Sequence, residues 1–329
     1  MAHKVIIADY EYDQIDNEKR ICQENGLELV ACQCRCEDDV IEKAKDADAI
    51  LNQYSPITRR VIESLENCKV IATYSIGLDK IDVQAATENG ICVANVPDYC
   101  VEEVSNHTMA MILSLHRKLG VMDRAVKSNN WSYKVAKPII RLSEKTIGLV
   151  ALGKISKLVV KKMKPFCENI IAFDPYLSAE AAAELGVELV ELEELLQRSD
   201  IVSLHAPLTE ETRNMIDINE LKMMKETAIL INVGRGGLVN EDSLYTALKE
   251  GWIAAAGIDV MVNEPPEPNN PLLTLDNIII TPHGAFYSRE SQAELQIRPT
   301  EEIVRVLVEG RYPKALVNKE VKNKIKLKE

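Results

Sequence analysis

The chain has 329 residues, of which 46% are hydrophobic and 27% charged. Two domains of roughly 100–200 residues fit this length, and the composition excludes an extensively disordered chain. Its 39 basic and 51 acidic residues give a net charge of −12, which argues against direct nucleic-acid binding and against docking on an anionic membrane. No apolar run approaches the roughly 20 residues that span a bilayer. The N-terminal residues do not resemble a secretory signal, so we expect a cytoplasmic protein.

Eight cysteines lie at positions 22, 32, 34, 36, 68, 92, 100 and 167. In a long chain without a signal peptide, they are expected to be reduced thiols. Cys32, Cys34 and Cys36 alternate along the sequence, which predicts a strand with all three sulfurs on one half-buried face. A metal site is the disfavoured alternative, because it needs wider spacing and a fourth ligand. We therefore predict no metal.

The first hundred residues alternate between short β-rich runs and helical patterns. Strands are predicted over 4–8, 27–32, 49–51, 69–73 and 91–94, with helices over 17–25, 38–45 and 58–65. This alternation indicates a parallel sheet with helices on both faces. After Pro97, residues 101–119 form an apolar helix that we expect to end at Gly120. A helix this apolar is usually buried on more than one side, between domains or in a subunit interface.

A second alternation begins near residue 146. Its strands are predicted over 146–151, 169–173, 201–204, 228–232, 254–259 and 278–281, which is the strand count of a dinucleotide-binding sheet. A last helix is expected over 291–309, and the lysine-rich segment after Val317 is expected to be a solvated end. The sequence predicts an α/β protein on a doubly wound parallel sheet.

The segment 146–156 reads TIGLVALGKIS, an apolar strand that runs into a glycine-containing turn and a helix. Dinucleotide-binding folds place the pyrophosphate here, at the N–H groups of the helix N-terminus. Of the three fingerprint glycines only the middle one, Gly153, is present, whereas Ala151 and Ser156 occupy the other two positions. The middle glycine allows the closest approach of the phosphates. An ordinary strand–turn–helix remains the alternative.

The next predicted strand ends at Asp174, which lies 23 residues after Ala151. An acidic residue about 20 positions beyond the glycine turn accepts hydrogen bonds from ribose hydroxyls and repels the additional phosphate of NADP. Asp174 as a simple turn residue before Pro175 is the alternative.

Three later segments lie at predicted strand ends and carry Arg235, Glu264 and His283. Ligands of open parallel sheets bind beyond the carboxyl ends of the strands, so these side chains can converge. Arginine can clamp a carboxylate and polarise a ketone, histidine can donate a proton near neutral pH, and a carboxylate can keep the imidazole protonated. Taken singly, each residue could instead cap a loop, lie in a solvated turn or end a strand.

Several motifs resemble the D-isomer-specific 2-hydroxyacid dehydrogenase family across nearly the whole chain. They are NVGRGG at 232–237, DVMVNEP at 259–265, TPH at 281–283, SLHAPLTEET at 203–212 and GLDKID at 77–82. Within the family, DYEY at 9–12, VPDYCVEE at 96–103 and HGAFYS at 283–288 are most similar to the C-terminal-binding-protein branch, which includes both corepressors and dehydrogenases.

The resemblance implies a Rossmann-type NAD-binding domain at 100–285 and a discontinuous flavodoxin-like substrate domain at 1–99 and 286–329, which closes over the cofactor. It implies Arg235 as the substrate clamp, His283 as the acid or base and Glu264 as its partner. Asp259 would hold the nicotinamide carboxamide. The implied cofactor-binding set is Ala151, Gly153, Lys154, Ile155, Asp174, His205, Pro207, Thr212, Val233, Gly234 and Asp259. The implied substrate-binding set is Tyr54, Ser75, Ile76, Gly77 and Phe286. A homodimer built on the helix at 101–119 is also implied.

The chain departs from the family pattern at Ala151, Ser156 and Ser75, and Phe286 replaces the tryptophan of the animal branch. We therefore expect altered or weakened cofactor binding and an unusual substrate. The leading hypothesis is an NAD-dependent oxidoreductase of small D-2-hydroxy or 2-oxo acids. The alternatives are an NADH-sensing, corepressor-like scaffold and a diverged protein that binds no dinucleotide.

Overall fold

A computed structural model describes residues 2–329. The chain divides into two compact units. The terminal unit contains the chain up to Tyr99 together with Ser288–Glu329, and the central unit contains Cys100–Tyr287. The second division falls two residues beyond the expected one at 285/286, so Phe286 belongs to the central unit. Within residues 2–329, no helix is both long enough and apolar enough to cross a membrane.

The terminal unit contains a five-stranded parallel sheet with the strand order β2-β1-β3-β4-β5, which is the flavodoxin-like order. Its elements before Tyr99 are β1 (Lys4–Ile7), α1 (Asp16–Glu24), β2 (Glu28–Ala31), α2 (Glu37–Ala44), β3 (Ala49–Asn52), α3 (Arg59–Ser64), β4 (Val70–Thr73), α4 (Val83–Glu88) and β5 (Cys92–Ala94). Strands β3 and β4 are completely buried, as expected for strands covered on both faces. Helix α4 was not predicted; Asp82 caps it by accepting a hydrogen bond from the Ala85 amide.

A buried polar pair lies beside this sheet. Glu18 of α1 is fully buried and accepts a hydrogen bond from the Tyr74 hydroxyl at 3.1 Å. Burial raises the pKa of Glu18 to about 6, because the charged carboxylate is poorly solvated there.

The central unit contains a seven-stranded parallel sheet with the order β12-β11-β10-β9-β6-β7-β8. Its elements are α5 (Val101–His116), α6 (Leu119–Lys127), β6 (Ile147–Val150), α7 (Lys154–Met163), β7 (Ile170–Phe173), α8 (Ala179–Glu184), β8 (Glu188–Leu189), α9 (Leu192–Arg198), β9 (Ile201–Leu204), α10 (Ile218–Met223), β10 (Ile229–Asn232), α11 (Glu241–Glu250), β11 (Ala255–Ile258) and β12 (Ile278–Ile280). Counted from β6, six strands follow the Rossmann order 3-2-1-4-5-6, and β12 adds a seventh at one edge. The predicted count of six was wrong, because the two-residue edge strand β8 is too short to leave a pattern.

The predicted single helix over 101–119 was also wrong. Helix α5 ends at His116, and Lys118 adopts a left-handed conformation with φ of 53°. The chain turns there and starts α6, which contains Gly120 rather than ending before it. Lysine rarely adopts this conformation, so no residue pattern predicted the turn.

The predicted cysteine face does not form. Strand β2 ends at Ala31, before the cysteine triplet. Cys34 is buried, whereas Cys36 is exposed and lies at the N-terminal cap of α2, so the three sulfurs do not share a face. All eight cysteines are free. Among residues 2–329, no three His, Cys, Asp or Glu side chains are grouped as potential metal ligands.

The C-terminal segment completes the terminal unit. Helix α12 (Arg289–Leu307) begins at a Ser288 cap, packs against α1 and β4, and its Gln296 donates to the Gln14 carbonyl. The predicted solvated end after Val317 was wrong at its start, because Asn318 and Val321 are buried. The Asn318 side chain accepts a hydrogen bond from the Val93 amide in β5.

Candidate active site

An imidazole and a carboxylate form a close pair in the central unit. Nδ1 of His283 lies 2.7 Å from Oε2 of Glu264, and both side chains are about one-third exposed, at 33% and 37%. A carboxylate only accepts hydrogen bonds, so Nδ1 carries the proton and Nε2 remains for another partner. The other Glu264 oxygen accepts a hydrogen bond from the Met261 amide at 2.9 Å. Both oxygens therefore have a donor.

The environment of Glu264 favours its charged form. Burial is the largest single influence and raises its pKa, but hydrogen bonds from His283 and Met261 and the positive charges of His283 and Arg235 together lower it below its ordinary value of 4.5. A carboxylate that stays ionised near neutral pH stabilises a protonated imidazole beside it. This arrangement suits a general acid.

Arg235 follows β10 in a turn that is held by the side chain of Asn232. Asn232 donates to the Arg235 carbonyl at 2.9 Å and accepts from the Gly234 amide at 3.1 Å. A Cβ at Gly236 would overlap the Met261 carbonyl group, so the Arg235 loop and the loop leading to Glu264 touch through their backbones. This contact explains why Arg235 acts electrostatically on Glu264.

The loop that carries His283 is organised by a buried carboxylate. Asp259 is 1% exposed. Its oxygens accept hydrogen bonds from the Thr281 hydroxyl at 2.5 Å and from the amides of Gly284 and Ala285 at 2.9 Å, and its carbonyl accepts from the His283 amide at 2.7 Å. These bonds hold His283 in a left-handed conformation with φ of 50°. Such strain persists only where its surroundings fix it, as at active sites.

A second histidine extends this network and was missed from the sequence. His107 of α5 places Nε2 3.0 Å from the Thr281 hydroxyl. Because Thr281 donates its proton to the carboxylate of Asp259, His107 must donate to Thr281. The TPH motif at 281–283 pointed to Thr281 and His283, but nothing in that motif indicated a contact with helix α5. The predicted contact of Asp259 with the nicotinamide carboxamide stays a prediction.

The turn between β6 and α7 accommodates both departures from the glycine fingerprint. Ala151 adopts a left-handed conformation with φ of 69°. Ser156 is fully buried, and its hydroxyl donates to the Ala151 carbonyl at 2.6 Å. The serine side chain is thus buried, and its hydroxyl is paired with the backbone of the turn. Gly153 caps α7, and no atom lies within 4 Å of where its Cβ would be.

These features fit a dinucleotide. Open space in front of an α-helix N-terminus is where a pyrophosphate binds, and an acidic residue ends the next strand. Asp174 accepts hydrogen bonds from the Leu152 amide at 2.8 Å and the Tyr176 amide at 2.9 Å, one on each carboxylate oxygen. A carboxylate oxygen has more than one acceptor position, so Asp174 can still accept from a ribose hydroxyl. Lys154 and Ile155 form the first turn of α7.

The remaining predicted cofactor residues lie on two loops at the carboxyl ends of β9 and β10. His205 places Nε2 2.9 Å from the Ser203 hydroxyl, and its buried Nδ1 has no partner in the described chain. Burial lowers the pKa of His205 to about 4. Thr212 donates to the Pro207 carbonyl at 2.7 Å, closing that loop. A Cβ at Gly234 would lie 3.1 Å from the Ala206 carbonyl oxygen, and Val233 precedes it in the neighbouring loop.

The predicted substrate residues fall into two groups. Phe286 lies in the central unit, where its ring meets the His283 ring edge-on with centroids 6.3 Å apart. The others belong to the terminal unit, at the ends of β3 and β4. The Ser75 hydroxyl donates to the Gly77 carbonyl at 2.5 Å, and Asn95 donates to the Ile76 carbonyl at 2.8 Å. Tyr54 is 42% exposed on the loop after β3.

Comparisons with known proteins identify the family. Residues 109–285 match the family described as "D-isomer specific 2-hydroxyacid dehydrogenase, NAD binding domain". The chain is 44% identical over 283 residues to D-3-phosphoglycerate dehydrogenase of Methanocaldococcus jannaschii, covering 85% of this chain and 53% of that protein. It is 40% identical to glyoxylate reductase of Korarchaeum cryptofilum over 86% of each chain. The structure of D-lactate dehydrogenase from Aquifex aeolicus, complexed with NAD and lactic acid, is similar with a TM-score of 0.84, 28% identity and coverage of 94% of this chain and 96% of that chain.

The chain therefore belongs to the D-isomer-specific 2-hydroxyacid dehydrogenase family. It spans about half the length of the Methanocaldococcus protein. The predictions of the family, of the α/β Rossmann fold and of NAD as cofactor are confirmed, and the catalytic interpretation is favoured over the scaffold. The narrower likeness to the C-terminal-binding-protein branch and the individual residue roles stay predictions.

Proposed function

We propose that this protein catalyses NAD-dependent reduction of small 2-oxo acids to D-2-hydroxy acids, and the reverse oxidation. The observation that carries the proposal is the His283–Glu264 pair at 2.7 Å, beside a loop that brings Arg235 into electrostatic contact with Glu264. Bound NAD(H) would supply or accept the hydride. The protein must then orient the substrate, polarise its carbonyl and move one proton.

His283 is the proton donor in this proposal. Its Nδ1–H is held by Glu264, so Nε2–H of the protonated ring is directed to the substrate's keto oxygen. In the oxidative direction, the neutral ring takes the hydroxyl proton back at the same nitrogen. Glu264 stays charged and stabilises the imidazolium, as a carboxylate beside a catalytic histidine does in other enzymes.

Arg235 binds the acid itself. Its planar guanidinium can donate to the substrate carboxylate and to the keto oxygen at the same time, which withdraws electron density from the carbonyl carbon. In the terminal unit, the backbone at 75–77 would receive the carboxylate. Tyr54 and Phe286 would contact the substrate side chain and limit its size. The names of the similar glyoxylate reductase and D-lactate dehydrogenase favour a small acid.

The cofactor would be held by groups that are already in position. The N–H groups at the start of α7 and the open space at Gly153 would receive the pyrophosphate, and Asp174 would accept from the ribose. Lys154, Ile155 and the loops at 205–212 and 233–234 would line the remainder. Asp259 would contact the carboxamide with acceptor capacity not used by the His283 loop.

We propose a cytoplasmic homodimer that acts without a nucleic-acid partner. The segment from α6 to residue 140 supports the dimer, because Trp131 is 89% exposed and Tyr133 is 70% exposed, with Leu119, Val126 and Ile140 also exposed. Helix α6 buries none of its residues. Large apolar side chains clustered on one exposed segment mark an interaction surface. Eight free cysteines support a reducing compartment.

The test is NADH oxidation with glyoxylate, pyruvate, hydroxypyruvate and 2-oxoglutarate. We expect turnover of at least one acid by the wild type and its loss in His283→Gln, with NADH still bound. His3→Gln is the matched control, because His3 also pairs with a carboxylate, Asp48, at 3.0 Å in the terminal unit. Full activity in His283→Gln, or none in the wild type with every acid, would refute the proposal. Sedimentation tests the dimer.

A further inference from the structure

A buried carboxylate at the end of β1 holds the loop that carries Tyr54. Asp9 is 7% exposed. One of its oxygens accepts hydrogen bonds from the Gln53 and Ser55 amides, both at 3.0 Å, and the other accepts from the Tyr54 amide at 2.7 Å. Three consecutive N–H groups thus point at a single side chain. Hydrogen bonds to an ionised acceptor are about twice as strong as neutral ones.

The same loop is tied down from two further directions. The Gln53 side chain accepts a hydrogen bond from the Glu11 amide at 2.9 Å, which returns a bond to the segment after β1. The Ser55 hydroxyl donates to the Cys34 carbonyl at 2.8 Å, in the segment after β2. The backbone on both sides of Tyr54 is therefore fixed, whereas the Tyr54 side chain is 42% exposed.

This loop occupies a distinctive place in the sheet. In the order β2-β1-β3-β4-β5, the direction of winding reverses between β1 and β3, and ligands of such sheets bind beyond the carboxyl ends of the strands at that reversal. Asp9 follows β1, and the Gln53–Ser55 turn follows β3. The Asp9 carboxylate therefore joins the segment after β1 to the turn after β3 through hydrogen bonds.

We propose that Asp9 is a positioning residue that fixes the direction in which Tyr54 projects and thereby determines which 2-oxo acids are accepted. The inference rests on the proposed function, because it takes Tyr54 as a residue of the substrate pocket. Asp9 itself does not touch the substrate. It acts by keeping the three amides of the turn in one orientation, so that the phenol ring contacts the substrate side chain from a fixed position.

The test replaces the carboxylate with an amide of the same shape. In Asp9→Asn one acceptor oxygen is lost, and an NH₂ group faces at least one of the three amides, so the turn is released from its orientation. We expect the ratio of kcat/KM between the preferred acid and the other acids of the panel to fall by about tenfold. The change should lie mainly in KM, and the Kd for NADH should be unchanged.

Asp48→Asn is the matched control, because Asp48 accepts a hydrogen bond from the Lys4 amide at 2.8 Å in the same sheet. It should lower Tm and leave the substrate ratio unchanged. Gln53→Ala is the milder variant if Asp9→Asn does not fold, since it removes only the bond to the Glu11 amide; we expect about a threefold change in the same direction.

A double-variant cycle separates positioning from general loss of stability. If Asp9 acts through Tyr54, adding Asp9→Asn to Tyr54→Ala should change the substrate ratio no further. Wild-type ratios in both Asp9→Asn and Gln53→Ala, or fully additive effects in the cycle, would overturn the inference while leaving the proposed reaction intact. A wild type that reduces none of the acids would refute the proposed reaction and this inference with it.

Discussion

Replacement of Glu264 by glutamine tests the electrostatic part of the proposed chemistry. The carboxylate lies 2.7 Å from His283 Nδ1, with both side chains about one-third exposed. Two unit charges about 4 Å apart attract by about 1 kcal/mol in bulk water and about 4 kcal/mol near a protein surface. Discounted for this exposure, we assign the pair about 1 kcal/mol.

The sign of the effect follows from the direction of the reaction. Reduction of a 2-oxo acid needs the protonated imidazole, so kcat/KM is high at low pH and falls as pH rises. Without the carboxylate, the protonated form is favoured less. We expect the falling limb of the pH profile for Glu264→Gln to move to lower pH. The plateau should also drop at least about tenfold, because one amide oxygen must serve both the His283 and the Met261 donors.

The assay is the pH dependence of kcat/KM for the preferred acid at saturating NADH. Glu241→Gln is the control, since the Glu241 carboxylate accepts a hydrogen bond from the neighbouring Val262 amide at 2.7 Å and is not paired with an imidazole. It should leave the position of the limb unchanged. The reasoning would be refuted by a limb that stays in place, or moves to higher pH, in Glu264→Gln.

Four other substitutions have defined outcomes. Arg235→Lys should lower kcat/KM for 2-oxo acids by at least about 100-fold with an unchanged Kd for NADH, and equal activity would remove the assigned clamp. Glu18→Gln tests the link between protonation and stability. Burial raises the pKa of Glu18 to about 6, so the stability that its protonated form contributes is complete below about pH 4.5 and is lost as pH rises through 6. The free energy of unfolding of the variant in urea should therefore exceed that of the wild type by up to about 2 kcal/mol at pH 8 and should equal it at pH 4. Ser156→Ala should cost about 1 kcal/mol of stability by removing the bond to the Ala151 carbonyl, and an unchanged unfolding midpoint would contradict that. Asp174→Ala should weaken NADH binding and reduce the preference for NADH over NADPH, measured by titration with each cofactor.

The fold was predictable because its dominant signal is local. Buried parallel strands such as Ala49–Asn52 are apolar without interruption, and their alternation with helices already implies the architecture. Features without a local signal were missed. Lys118 separates α5 from α6 in a conformation that lysine rarely adopts, and β8 contains only two residues.

The site was predictable to the extent that its residues follow strands. Arg235 and His283 follow β10 and β12, where a parallel sheet binds ligands. The supporting shell was not predictable, because its bonds join a side chain to backbone amides far away in the chain. Asp9 with the turn after β3, and Asp259 with the loop after β12, are both of this kind. Any residue except proline can donate such a bond from its backbone amide, so the residue types at these positions do not reveal it.

The effects of Ala151 and Ser156 on the turn between β6 and α7 cannot be judged one residue at a time. From the sequence, Ala151 and Ser156 each add atoms to a crowded turn. In the structure they form one unit, in which the serine hydroxyl bonds to the alanine carbonyl and is buried. The expected weakening of cofactor binding stays a prediction, which titration with NADH will test.

The split of the terminal unit across the chain has a consequence for biosynthesis. Its sheet leaves the ribosome early, but α12, which packs on α1 and β4, follows only after the 188 residues from 100 to 287. At translation rates of about 5–20 residues per second, this delay lasts roughly 10–40 s. During that interval the nascent sheet presents an apolar surface to the solvent. Newly made chains should therefore depend on holding chaperones at high expression and should aggregate through this surface when synthesis stalls.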